Sequence, residues 1–202
     1  MLRQRQARLA TIILVAVIAL GVALLAGCSS NASSTTTTKS GPTALGGLTA
    51  AKSALATTSP DAKLLVVETA QAVEPTGTPV WAYIFGSPST DKIFVVYLAN
   101  GQSMGSQENG TAGLSAAEWA KVPGTDEWKI DSDVAYKNAL AASGAKGSPA
   151  AYMMGFITYK AASDTSTIEP MVWNVQFDPG TSGATDKVVT VDAKTGKAAI
   201  GK

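Results

Sequence analysis

The sequence predicts an α+β fold of two repeats, each a helix followed by a three-stranded antiparallel meander. Three observations carry this. The stretch from Pro170 to Lys197 has a looser copy at Pro79 to Gln102. In it, Val80-Trp81 and Phe85 match Val172-Trp173 and Phe177, and Thr90-Asp91-Lys92 and Gly101 match Thr185-Asp186-Lys187 and Gly196. Both copies hold short runs rich in β-branched and aromatic residues, bounded by Gly, Pro, Ser and Asp, as strands joined by turns do. Each copy also follows a segment with helical spacing and a helix start signal.

Of the 202 residues, the first 27 read as a targeting segment. Arg3, Arg5 and Arg8 form a positive leader, Leu9 to Ala26 are almost wholly apolar, and Leu25-Ala26-Gly27-Cys28 follows. Here the chain resembles a bacterial lipoprotein precursor. That resemblance implies cleavage before Cys28 and a diacylglycerol on its thiol, and therefore a protein held at the extracytoplasmic face of the cell membrane. The competing reading is an uncleaved span, since roughly 18 apolar residues is near the lower limit for crossing a bilayer. Two or more acyl chains give stable attachment.

Beyond the leader, 175 residues remain, enough for one ordinary domain or two small ones sharing a core. The leader takes all the arginine with it, leaving 13 lysines against 15 acids and a net charge of about −2. Nucleic-acid recognition leans on positive surface and forked Arg contacts, so it is excluded as a function. Cys28 is the single cysteine, so the exported part forms no internal disulfide and depends on packing. With no His and no second Cys, the usual zinc and redox-metal sites have no ligands, and no cofactor is expected.

In chain order, Ser29 to Gly41 contains Thr35-Thr36-Thr37-Thr38 and almost nothing apolar, so residues 28–41 read as a flexible tether. Pro42 to about Ser59 reads as a helix, with Leu45, Leu48 and Leu55 on one stripe, weakened by Gly46-Gly47. Lys63–Val73, Val80–Phe85 and Lys92–Leu98 read as strands, and Asn100-Gly101 as a tight turn. Residues 42–105 form the first repeat. In the connecting segment 106–127, Ser115-Ala116-Ala117-Glu118 has capping-box spacing and opens a short helix through Trp119. The second repeat, 128–202, starts with Ile130-Asp131-Ser132-Asp133, a capping serine and an acid ahead of a helix to Ser143 that Gly144 ends. Strands at Ala151–Tyr159, Met171–Phe177 and Lys187–Ala193 complete it.

Trp128-Lys-Ile-Asp-Ser-Asp-Val-Ala leading a helix, a Trp-bearing strand, and Val-Val-Thr-Val-Asp-Ala-Lys-Thr-Gly-Lys together resemble the PepSY-type module of exported bacterial proteins. The second repeat carries the motif. The first departs from it, with Tyr-Leu-Ala-Asn-Gly in place of Val-Asp-Ala-Lys-Thr-Gly, and joins the family only through its match to the second. The resemblance implies a PepSY/cystatin-like, noncatalytic module; some such modules sit in peptidase propeptides, where they are thought to inhibit the enzyme, and others in envelope proteins. A β-lactamase-inhibitor-like helix-and-meander fold is the structural competitor.

Side chains along a strand alternate between faces. In the second repeat Trp173, Val175, Phe177, Val189 and Val191 form an inner column, and Asn174, Gln176, Thr190 and Asp192 a polar outer one. In the first repeat the inner column is Trp81, Tyr83, Phe85, Phe94, Val96 and Leu98. Its outer column is Val80, Ala82, Ile84, Ile93, Val95 and Tyr97, apolar as well. Soluble proteins rarely leave such a patch bare. Either the connecting segment with Trp119 or the second repeat covers it, or it is a binding face for another protein or an apolar ligand.

Catalytic motifs are present in letters only. Gly101-Gln102-Ser103-Met104-Gly105 matches a nucleophile elbow, but the chain has no histidine base. Ser143-Gly144-Ala145-Lys146 and Lys194-Thr195-Gly196 mimic penicillin-binding motifs, but Gly144 ends the helix that would present the lysine. Asp126, Glu127, Asp131 and Asp133 lack calcium-loop spacing and suit a helix N-terminus. The expected function is noncatalytic. The chain reads as a lipid-anchored binding or regulatory protein that meets the membrane through its lipid and modulates an envelope protein or peptidase. A spacer or scaffold lipoprotein is the second reading, and a hydrolase using Lys or carboxylates the third.

Overall fold

The computed structural model describes residues 43–69, 80–145, 150–156, 171–177 and 188–201, with backbone alone for 150–156. All lie in the compact unit Thr38–Lys202. The leader, Cys28, the tether and the strand ends expected at 70–73 and 157–159 fall outside the described residues.

The elements are α1 (Ala44–Ser53), β1 (Lys63–Thr69), β2 (Val80–Gly86), β3 (Lys92–Ala99), β4 (Gln102–Thr111), α2 (Ala116–Trp119), a 3₁₀ turn (Thr125–Glu127), α3 (Ser132–Ser143), β5 (Ala150–Phe156), β6 (Val172–Phe177), β7 (Val188–Asp192) and β8 (Ala198–Ile200). Among the described residues, eight strands make one antiparallel sheet ordered β4-β3-β2-β1-β5-β6-β7-β8. Sheet neighbours are consecutive in the chain except at the centre. There β1 pairs with β5, Val66 opposite Phe156 and Glu68 opposite Met154. The fold is therefore α+β, as expected, but each meander has a fourth strand that the expectation of three lacked. β4 and β8 are the sheet edges, where one side of the ladder faces solvent and no apolar pattern is required.

The tight turn at Asn100-Gly101 is where the dipeptide places it. Ala99 pairs with Gln102, and both turn residues have positive φ, 50° and 80°, the twist a two-residue hairpin needs. α1 is shorter than expected, and the chain from Ala54 to Ser59 continues as turns. Of its two glycines, Gly47 has a packing reason: a Cβ there would collide with the Tyr83 hydroxyl, which itself donates to the Ala44 carbonyl. α2 carries the full capping box, Ser115 Oγ accepting from Glu118 N at 3.3 Å and Glu118 Oε2 accepting from Ser115 N at 2.6 Å. In α3 the cap is Asp131, with Ser132 the first helical residue, one position earlier than the serine expected there.

Among the described residues, all three helices contribute to one core cluster, with α1 and α3 on one face of the sheet. The inner columns of both meanders line it: Trp81, Tyr83, Phe85, Phe94, Val96 and Leu98 from one side, Trp173, Val175, Phe177, Val189 and Val191 from the other. The two meanders meet there through Trp81 and Trp173, edge to face with ring centroids 6.2 Å apart, and Trp128 tilts onto Trp173 at 5.6 Å. Such pairs add about 0.5–1.5 kcal/mol beyond the area they bury. Trp119 closes the end of β2 by packing on Gly86, where even a methyl group would press into its ring. Its indole N–H is held by Asp91 Oδ1 at 3.3 Å, and Asp91 also accepts from Gly113 and Leu114 N.

The two helices also meet, N-terminus to N-terminus. Four amides at the start of an α-helix lack helical partners. In α1, Ala44 N donates to Ser132 Oγ at 3.0 Å, Leu45 N to Asp131 Oδ1 at 2.9 Å and Gly46 N to Thr43 Oγ1 at 3.2 Å, while Gly47 N makes the first helical bond, to Thr43 O at 3.1 Å. Two of the four are satisfied by the residues that open α3. Asp131 Oδ1 also accepts from Ser132 N at 2.6 Å, so one carboxylate faces two positive helix ends. Asp131→Ala is expected to cost about 1–2 kcal/mol, the upper end for an N-cap, because it uncaps both helices. Asp131→Asn keeps the acceptor oxygen and recovers part of that loss. Urea denaturation checks both, and an Asp131→Ala chain as stable as wild type would show that the shared cap contributes nothing.

Candidate functional site

The helix-free face of the β1–β3 sheet is where the sequence places its unusual surface. Residues opposite one another in register share a face. Ala82 pairs with Tyr97, Ile84 with Val95 and Gly86 with Ile93, so all six expected residues lie on one side. None belongs to the helix-side core. Ala82, Ile84 and Val95 are buried, the last two at 7% and 5% exposure. Val80, Ile93 and Tyr97 are partly buried and form a more accessible rim. Trp119, expected as one cover, packs on Gly86, which shares the face of Ile84 and Ile93, so it covers that end of the face while joining the main core cluster.

Two members of this face were not in the expected set. β1 breaks register between Leu64 and Val66. Leu64 and Val67 turn into the helix-side core, and Val66 and Glu68 point the other way, opposite Ile84 and Ala82. A period-two reading cannot see that shift, because an inserted residue changes the parity of everything after it. The one available signal was the charge itself, a carboxylate ending the apolar run Leu64–Val67.

Glu68 is 2% exposed and stands on β1, beside the join of the two halves. Its register row runs outward through Ala82 to Tyr97, and the other way across the backbone of Met154 to Asn174 and Thr190. Thr190 Oγ1 donates to Asn174 Oδ1 at 3.3 Å. The neighbouring row is Val95, Ile84 and Val66, continuing past the backbone of Phe156 to Val172. A polar track thus crosses the sheet beside an apolar one. Ala82 is small enough to leave Glu68 and Tyr97 in electrostatic reach across it. Burial, and then the Glu68 carboxylate, push the Tyr97 phenol above its ordinary value.

The other sequence motifs resolve into structure. Ser103 lies on exposed β4 just past a hairpin, where its Oγ accepts from Gly105 N at 3.1 Å, with no strand-to-helix elbow. Ser143 Oγ donates to Leu140 O and accepts from Ala145 N at the end of α3. Lys194-Thr195-Gly196 is the β7–β8 turn, whose amides at 194 and 195 donate to Asp192 Oδ1 at 3.0 and 2.7 Å. Among the acids, Asp131 caps helices, Asp133 pairs with Lys137 at 3.6 Å, and Glu127 with Lys194 at 3.8 Å. Among the described residues no group of three or more His, Cys, Asp or Glu could hold a metal ion. Among them, too, no helix is long and apolar enough to cross a membrane.

No protein-family model and no curated protein matches this chain. Among solved structures, a Clostridium difficile 630 protein provisionally described as a lipoprotein superposes with a TM-score of 0.48 at 10% identity. The match covers 69% of this chain and 81% of that one. A likeness of that order carries no functional argument.

The coupling across Ala82 is directly measurable. Glu68→Gln removes the second of the two causes that raise Tyr97, so its phenol is expected to titrate at lower pH than in wild type, burial still holding it above normal. Ultraviolet difference titration against Tyr97→Phe isolates this one phenol. An unchanged midpoint would place the carboxylate out of reach of Tyr97.

Proposed function

We propose that this chain is a lipid-anchored, noncatalytic binding or regulatory protein of the bacterial cell envelope. It is built from two PepSY-like modules and meets its partner on the helix-free face of the first. The observation that carries the reading is the contrast between the two halves of that face: apolar with one buried carboxylate on β1–β3, polar with Asn174, Gln176 and Thr190 on β6 and β7. The centre of the apolar half is covered within the chain, Ile84 and Val95 being 7% and 5% exposed, so the surface open to a partner is the rim of Val80, Ile93 and Tyr97.

The module reading draws support from element order, since each half runs helix and then four antiparallel strands. Trp81 and Trp173 occupy equivalent strands and meet edge to face, and Gly101 and Gly196 both close turns at positive φ. Noncatalytic action fits the way Ser103, Ser143 and Asp131 spend their hydrogen bonds on turns and caps. An envelope peptidase is the partner class that the PepSY resemblance suggests, approached first at the rim of Val80, Ile93 and Tyr97. A spacer lipoprotein is the competing reading.

Two measurements test it. Metabolic labelling with a clickable fatty acid is expected to mark the wild-type chain and not Cys28→Ser; equal labelling of both ends the lipid-anchor reading. A photo-crosslinking amino acid at Ile93, used in the native envelope, is expected to give a defined adduct with a peptidase or another envelope protein that Val80→Asp, on the accessible rim, abolishes. No adduct at Ile93 or at Tyr97 favours the spacer.

A further inference from the structure

An open sheet ends in two rows of outward N–H and C=O groups, each able to template another strand. Here the two edges are β8 and β4. β8 is three residues long, too short to hold a partner. β4 runs for ten residues and is exposed over nearly its whole length. It carries a single charge, Glu108, paired with Lys92 at 2.9 Å. By length and exposure alone it would be a pairing hazard.

Its register against β3 breaks twice. Leu98 faces Ser103 and Val96 faces Ser106, which leaves Met104 and Gly105 together opposite Tyr97. Phe94 faces Glu108 and Lys92 faces Thr111, which leaves Asn109 and Gly110 together opposite Ile93. The second residue of each bulge is a glycine with positive φ, 106° at Gly105 and 84° at Gly110. A Cβ at either would meet nothing within 4 Å. Packing therefore does not ask for glycine at these positions; the left-handed backbone does. Each bulge bends the strand, raises its twist and interrupts the ladder. The regular edge left between them is Ser106–Glu108.

We propose that the two glycine bulges of β4 are a guard that keeps a second copy of this chain from adding to the sheet edge to edge. The two edges are blunted by different means, β8 by brevity and β4 by broken register. The guard follows from the geometry of β4 and does not depend on the lipid anchor, although copies crowded on a membrane would need it most.

Deleting Gly105 and Gly110 leaves Met104 opposite Tyr97 and Asn109 opposite Ile93, which restores one continuous edge in the same register. The test places Gln107→Cys at the centre of that edge in the full-length, detergent-solubilised chain. An antiparallel pair of copies centred there brings the two introduced thiols side by side. Under mild oxidation, disulfide-linked dimer is expected to rise several-fold in the double-deletion background over the background with both bulges. The parent chains without Gln107→Cys correct for any dimer through Cys28. Equal dimer in the two backgrounds, whether high or low, overturns the proposal. If the double deletion loses its near-ultraviolet tryptophan signal, the single deletions of Gly105 or Gly110 carry the test, since each lengthens the regular run from one side. Equal dimer in those chains and in wild type overturns it in the same way.

Discussion

The fold turns on three consecutive residues, Ile130, Asp131 and Ser132. The Ile130 carbonyl accepts the indole N–H of both Trp128 and Trp173 at 2.8 Å, and its amide is held by Ala193 O at 2.8 Å. One residue on, Asp131 and Ser132 receive the first amides of α1 while opening α3. A buried indole without an acceptor costs about 1–3 kcal/mol, more than a made bond returns, so two of them converging on one carbonyl make its position demanding. The N-termini of α1 and α3 are drawn to the same carboxylate, and Tyr83 beside it has its phenol held well above the ordinary value by burial and then by Asp131. The first half of the chain cannot complete its helix without the second.

This constraint decides what the sheet does with its two faces. With the helices held at one place, their apolar surfaces and the inner columns of both meanders form a single core, and the β1–β5 pairing makes that core continuous. The opposite face is free of that demand. On β6 and β7 it carries Asn174, Gln176, Thr190 and Asp192 beside Val172 and Val188. On β1 to β3 it stays apolar and buries a carboxylate, which the helix-side core does not require. Loops add a second set of ties: Asp61 joins the α1–β1 turn to the β2–β3 turn by accepting from Ser87 Oγ at 2.9 Å and Ser89 N at 2.8 Å. Burial works to raise that carboxyl, but the hydrogen bonds, led by the Ser89 amide, outweigh it and leave it below its ordinary value. Its contribution to stability is therefore fully present above the ordinary carboxylate value and is lost as pH falls below that through the lowered folded-state value.

Legibility varied with how much each element depends on its own residues. The inner columns, the hairpin at Asn100-Gly101, the capping box at Ser115 and the stop at Gly144 were all readable, because alternation, positive φ and capping are local. The edge strands were not. β4 reads Gln-Ser-Met-Gly-Ser-Gln-Glu-Asn-Gly-Thr, which by composition is a loop, and it is a strand because β3 offers it an unpaired ladder. Glu68 escaped for a different reason, since a register shift two residues before it changed its face. The six outer-face residues were placed on the right side of the sheet, but their degree of burial depends on what lies over them, and no strand pattern encodes that.

By itself, then, the sequence determined the α+β class, the two similar meanders and which side chains point inward. Each of these rests on short-range rules of period, turn and cap that a few neighbouring residues satisfy alone. Tertiary structure decided that the meanders share one eight-stranded sheet, that α1 is capped by residues nearly ninety positions away, and that a carboxylate is buried beside the join. Those features depend on pairing between distant segments. The free energy of such a pairing belongs to both partners, so neither segment announces it when read alone.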